Sequence, residues 1–167
     1  MKIILFFCCS FLISESCYHL PEKPKKVVQN GMTLEWRIAE GRIWVSMHAP
    51  TQGWLAIGFN EQSGLPNTNL IMASVRGEQL VLSDRYVVAV GHHQSIAELG
   101  GTPSAEGGSA KETSEGTTIE FSLPLKAKDQ YHVDLEEGKK YYVLMAFSRE
   151  DDFAHHSMMR TEVRLVL

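Results

Sequence analysis

Cysteine is scarce in this sequence and badly distributed for cross-linking. The 167 residues contain three, at positions 8, 9 and 17, and none follows. One thiol, Cys17, remains once the first sixteen residues are set aside, so no internal disulfide is available. Basic runs are missing as well. The formal net charge is −4 and the pI about 6, which leaves no stripe to track a phosphate backbone and excludes nucleic acid as a partner. No segment keeps a helical apolar period for longer than about two turns. Hydrolase signatures are absent: there is no G-x-S-x-G, no P-loop, no H-E-x-x-H and no convincing carboxylate pair. The chain reads as a binding or redox module, not an enzyme.

Long hydrophobic runs are confined to the start. Lys2 precedes an apolar stretch from Ile3 to Ile13 broken only by Ser10, and Ser14 and Ser16 then supply small residues before Cys17. That is the layout of a signal peptide over residues 1–16, and the run is too short for an ordinary membrane span. A cysteine directly after the cut suggests lipoprotein processing, although Ser14 stands where leucine is usual. Two outcomes stay open: a cell-envelope lipoprotein held by a lipid on Cys17, or a plain periplasmic or secreted protein. The polar, proline-containing stretch from Cys17 to Gln29 reads as a tether.

From Met32 onward the apolar period is two. Met32, Leu34, Trp36 and Ile38 alternate with polar residues, as do Ile43, Val45, Met47 and Ala49. Trp54–Phe59, Asn69–Val75 and Tyr141–Ser148 are apolar on both faces, as in central strands. Gln79–Val90 reads as one long or two bent strands. Ile119, Phe121, Leu123 and Leu125 share a face, and Val163, Leu165 and Leu167 close the chain. Eight or nine strands joined by Gly, Asn, Asp and Pro turns argue for one antiparallel β-sandwich domain over residues 30–167. The Gly/Ser/Glu-rich stretch 91–116 reads as a long mobile loop.

The stretches GWLAIGFN, NLIMASVRG, LSDRYV, TIEFSLPL, YYVLMAFS and DDFAHHSMMR, in that order across Asn30–Leu167, resemble a DOMON domain. The resemblance implies an all-β, immunoglobulin-like antiparallel sandwich of about nine to eleven strands, exported from the cytoplasm. Members bind haem b or are thought to bind sugars. Haem-binding members hold iron between a methionine after the GW strand and a histidine near the C-terminal end, and pass single electrons to a partner. Carried over, the histidine falls on His155 or His156. The methionine position falls on Leu65, which has no lone pair to offer iron.

Other residues offer themselves. Met72 lies in the next strand and reads first as core. Met158 and Met159, too near the histidines to reach the opposite face of a porphyrin, would line the pocket wall. Met32, Met47 and Met145 read as core by parity. Arg160 suits a haem propionate, or an ion pair with Glu150, Asp151 or Asp152. Adjacent residues on an extended chain face opposite ways, so one imidazole of the pair looks inward; parity favours His156. With nothing strong opposite it, a haem iron would be five-coordinate and open to small ligands. The alternative is that both histidines decorate a turn. A copper or zinc site combining them with His92 and His93 needs three or four converging ligands. Trp44, on the outer parity of its strand, would stack on a sugar or phenol beside Tyr86 or Tyr131, or pack under the 91–116 loop. The partners expected are a redox protein, or a sugar or other small molecule.

Overall fold

The computed structural model describes residues 23–167. The expected signal segment 1–16, Cys17 and the first residues of the expected tether lie outside them. Eleven strands follow one another: β1 (Lys25–Gln29), β2 (Met32–Ala39), β3 (Arg42–Ala49), β4 (Leu55–Asn60), β5 (Asn69–Arg76), β6 (Gln79–Ala89), β7 (His92–Ser95), β8 (Glu106–Thr113), β9 (Gly116–Pro124), β10 (Lys140–Phe147) and β11 (Met159–Val166). Among the described residues there is no helix. A five-stranded sheet in the order β1-β2-β3-β9-β8 packs on a six-stranded sheet in the order β11-β10-β4-β5-β6-β7. Neighbouring strands run antiparallel, for example β3 against β9 and β4 against β10. This is the immunoglobulin-like sandwich that the alternation implied.

The core lies where the two inner faces meet. Met32, Leu34, Trp36, Ile43, Val45 and Met47 oppose Ile57, Phe59, Ile71, Tyr141, Val143 and Met145, all buried. Each is worth roughly 1.5–3 kcal/mol of transfer free energy when fully buried. The Tyr141 hydroxyl keeps its polar end paired, donating to the Asp134 carbonyl and accepting from the Glu136 N–H.

Two expectations need correction. Residues 25–29, expected within a tether, form β1 and pair with β2. Asn30 and Gly31 both take positive φ, 50° and 84°, the conformation a two-residue hairpin turn demands. Residues 91–116 are not one mobile loop. They contain β7, which pairs with β6 across a bulge, and β8, which pairs with β9 across another. At Gly108 a Cβ would lie 2.5 Å from the Glu120 carbonyl oxygen, so the bulged strand closes on β9 only because that residue is glycine. The stretch between β7 and β8 is fastened by Asp84, whose carboxylate accepts from the N–H and the hydroxyl of Ser104 at 2.7 and 2.9 Å.

Candidate functional site

The two-sided apolar strands explain where a cleft forms. On β4, alternation sends Leu55, Ile57 and Phe59 into the sandwich and Ala56 outward, next to Trp54. Leu70 and Met72 of β5, Val87 of β6, and Leu144 and Ala146 of β10 join them as a second buried apolar cluster on the outer face of the six-stranded sheet. Leu65, from the loop after β4, and Phe153, from the loop after β10, lean over this floor. Trp54 adds a buried indole N–H with no hydrogen-bond partner. The cleft above the floor is about 130 Å3.

The loop joining β10 to β11 borders this cleft and is pinned to the start of β4. The Trp54 N–H donates to the Glu150 carbonyl at 3.0 Å, and the Ser148 N–H donates to the Trp54 carbonyl at 2.9 Å. The Thr51 hydroxyl donates to the Ser148 carbonyl. The two chains pass so closely at Gly53 that a Cβ there would lie 2.4 Å from the Arg149 carbonyl carbon. Farther along, Arg76 of β5 donates to the Asp151 carbonyl at 3.0 Å and lies over the Phe153 ring. Burial pushes the Asp151 carboxyl above its usual range. The Leu65 loop is held from two sides. Its Asn67 N–H donates to the Val87 carbonyl at 2.9 Å, and Ser63 and Gly64 donate to the Glu162 carboxylate of β11.

Four imidazoles border the cleft: His92, His93, His155 and His156. The expectation that His156 looks into the sandwich is incorrect. After β10 the chain leaves the sheet, so strand parity stops applying, and both His155 and His156 are exposed at the rim of an outer-face cleft. They differ in their partners. His155 Nδ1 lies 3.3 Å from Asp152 Oδ2, which leaves Nε2 uncommitted. His156 contributes its backbone carbonyl, which accepts from the Ser148 hydroxyl. His93 Nδ1 accepts from Arg85 Nε at 2.7 Å. Burial foremost, then the charges of Arg85 and His92, holds the His93 pKa below its ordinary value.

Of the other expected residues, Leu65, Met72 and Arg160 line this cleft with the histidines. Met72 is 1% exposed and belongs to the floor. Arg160 forms no salt bridge among the described residues, whereas Met158, expected in the pocket wall, turns outward to accept from Arg149 Nε at 2.8 Å. No three His, Cys, Asp or Glu side chains among the described residues converge as a cage for a bare metal ion. A flat tetrapyrrole suits the site in donor chemistry: an apolar floor, imidazole nitrogens and a guanidinium at the rim, and an unpartnered N–H below. It exceeds the present cleft, since ligand pockets usually span roughly 300–1,000 Å3. Leu65 and Phe153 are the partly buried side chains packed over the floor that a larger group would meet.

The tryptophan and tyrosines do not meet. Trp44 lies on the five-stranded sheet with Arg37 stacked 5.0 Å from its ring centre, in a groove bordered by Gly108 and Ser109 of β8. Tyr86 and Tyr131 pack edge to face with ring centres 5.3 Å apart and line a separate open groove of about 630 Å3 with Asn60, Gln62, Asn67 and Gln130.

Sequence reasoning missed one cluster. Asp84, the aspartate of LSDRYV, is 5% exposed. It accepts from Asn69 Nδ2 at 2.8 Å, and His132 Nε2 lies 3.3 Å away. His132 Nδ1 in turn lies 2.7 Å from Asp129 Oδ1. Although burial acts upward, N–H donors from Thr102 and Tyr131, with His132, hold Asp129 below the usual carboxylate range. The signal was the charged Asp-Arg pair inside an otherwise apolar strand.

Comparison with known proteins bears on all of this. A family model, the DOMON domain, matches residues 28–148. No curated protein matches the chain. Among solved structures, the cytochrome domain of Myriococcum thermophilum cellobiose dehydrogenase aligns with a TM-score of 0.64 at 10% identity, covering 86% of this chain and 81% of that one. The cytochrome b domain of Coprinopsis cinerea pyranose dehydrogenase aligns with a TM-score of 0.65 at 10% identity, covering 84% and 80%. At such identity the likeness establishes the fold alone.

Proposed function

This chain belongs to the DOMON domain family, and we propose that it binds haem b in the histidine-rimmed cleft on the outer face of its six-stranded sheet. The observation that carries the reading is His155. Its Nδ1 is oriented by Asp152 while its Nε2 is uncommitted beside an apolar floor. A carboxylate on one ring nitrogen fixes the tautomer and the ring orientation, as is usual for metal-bound histidine. His155 is therefore favoured over His156 as the iron ligand. Arg160 offers a guanidinium to a propionate. Haem bound there supplies one-electron exchange at its iron. The protein's own residues exclude water from one face and hold the ligand imidazole. In this reading the chain is an exported electron carrier or small-ligand sensor, anchored through Cys17 or free, and it depends on a partner for any catalysis. That two of its solved neighbours are cytochrome domains of dehydrogenases supports the choice of cofactor.

The test is to express the chain with haem supplied and record its absorption. A Soret band that is lost in His155→Ala, with the far-ultraviolet circular dichroism unchanged, is the expected result. A folded, colourless wild-type protein would end the reading.

A second reading has its own observation. The Tyr86–Tyr131 pair, flanked by Gln62, Asn67 and Gln130, offers an aromatic face with amide groups beside it, as a neutral saccharide requires. Oligosaccharide titration followed by tyrosine fluorescence, absent in Tyr86→Ala, would favour it.

A further inference from the structure

Leu65 stands where the family resemblance calls for methionine, and no atom of leucine coordinates iron. The loop that carries it is hydrogen-bonded to β6 at Val87, through Asn67 N–H to the Val87 carbonyl and Val87 N–H to the Thr68 carbonyl at 2.9 and 3.0 Å. From Val87 the chain runs only a few residues to the β6–β7 turn, and the first residue of β7 is His92. The turn therefore sits beside the Leu65 loop on the same rim of the cleft, and His92 lines that cleft with His155. We propose that His92 supplies the second axial nitrogen, so that two histidines from different loops, His92 and His155, hold the haem. This rests on the haem reading above.

The other imidazoles are ruled out by what they already do. Arg85 Nε always carries its hydrogen, so the bond it donates to His93 Nδ1 puts the remaining ring proton of neutral His93 on Nε2. That leaves His93 no free lone pair for iron. His156 adjoins His155 in one turn, and two neighbouring residues cannot easily reach opposite faces of one porphyrin. Among the described residues, the His92 ring has no hydrogen-bond partner, and the residue is exposed, so coordination breaks nothing. The rival is Met72, whose thioether lies in the floor.

The test is the spin state of the ferric protein. Wild type is expected to be low-spin, with the electron paramagnetic resonance and near-infrared signature of two nitrogen ligands. His92→Ala is expected to give a high-spin or water-ligated spectrum while keeping its Soret band. Adding Leu65→Met to His92→Ala should restore a low-spin haem, now with a sulfur signature and a higher reduction potential, because Met/His ligation raises it. A high-spin wild type, or a His92→Ala protein that stays low-spin until Met72→Leu is added, overturns the assignment and leaves haem binding standing. Absence of any Soret band removes the parent reading instead.

Discussion

Two turns of this protein carry an aspartate followed three residues later by a histidine, and they use it in opposite ways. In Asp129–His132 and in Asp152–His155, the aspartate side chain accepts the N–H two residues on, at 3.0 and 2.9 Å. Its carbonyl accepts the histidine N–H, at 3.2 and 3.0 Å. In each, histidine Nδ1 faces the same carboxylate. The difference lies at the far nitrogen. The His132 side chain is 4% exposed and its Nε2 meets Asp84; the His155 side chain is 59% exposed and its Nε2 meets no protein group among the described residues. A local turn can orient an imidazole, but only the tertiary surroundings decide whether the far nitrogen is tied into the structure or left open.

The largest disruption is expected on the buried side. Asp84→Ala leaves His132, Asn69 and the Ser104 N–H without their shared acceptor, a loss of about 1–3 kcal/mol from buried donors left unsatisfied. Chemical denaturation measures it, and a loss below about 1 kcal/mol would mean that the cluster is not a strut. On the exposed side, Asp152→Asn keeps an oxygen for the Ala154 N–H but removes the charge facing His155. On the proposed haem reading, haem retention should weaken by roughly 10–100-fold, as is typical when a partner of a metal-bound histidine is lost, with little change in thermal stability. Haem titration of the two proteins checks this.

The smallest effects are in pH. The aspartates of both turns are held below their ordinary value, Asp152 chiefly by the Ala154 N–H, and it is Asp129 and Asp151 that should respond with opposite sign. Asp129 has a folded pKa below its unfolded value near 3.8. Its contribution is therefore complete above that pH and fades as pH falls through the depressed value. Asp151, beside Asp152, has a folded pKa above 3.8. Its contribution is complete below that pH and is lost as pH rises through the raised value. Melting curves across pH should show Asp129→Asn with a flatter acid limb than wild type. Asp151→Asn should melt slightly above wild type at neutral pH, with the gain vanishing in acid.

The strands were legible because alternation reports which side chains share a face. Where that signal fails, so did the reading. β8, with Gly107, Gly108 and Ser109 at its bulge, carries little apolar alternation, and its order comes from β9 and Asp84. β1 hides its alternation among lysines, and the hairpin that the Asn30–Gly31 turn makes with β2 went unread. At the site, Leu65, Met72, Arg160 and the His155–His156 pair were all named from sequence, and they do border one cleft. Its location was not legible. A strand that is apolar on both faces does not say which face is roofed by the other sheet and which by loops, so the cleft was sought between the sheets and lies outside them. The arrival of His92 and His93 depends on β7 pairing back along β6, which a Gly-rich segment does not advertise.

Glu162 gives this geography a temporal side. Its carboxylate on β11 clasps Ser63 and Gly64, at the base of the Leu65 loop, and the turn just ahead of β11 bears His155. A chain leaving the ribosome from its N-terminus makes β4, β5 and β6 of the floor well before either clasp or turn exists, and β10 just ahead of the turn. The cleft is thus the last part to be assembled, and cofactor capture would report that synthesis has run through β11.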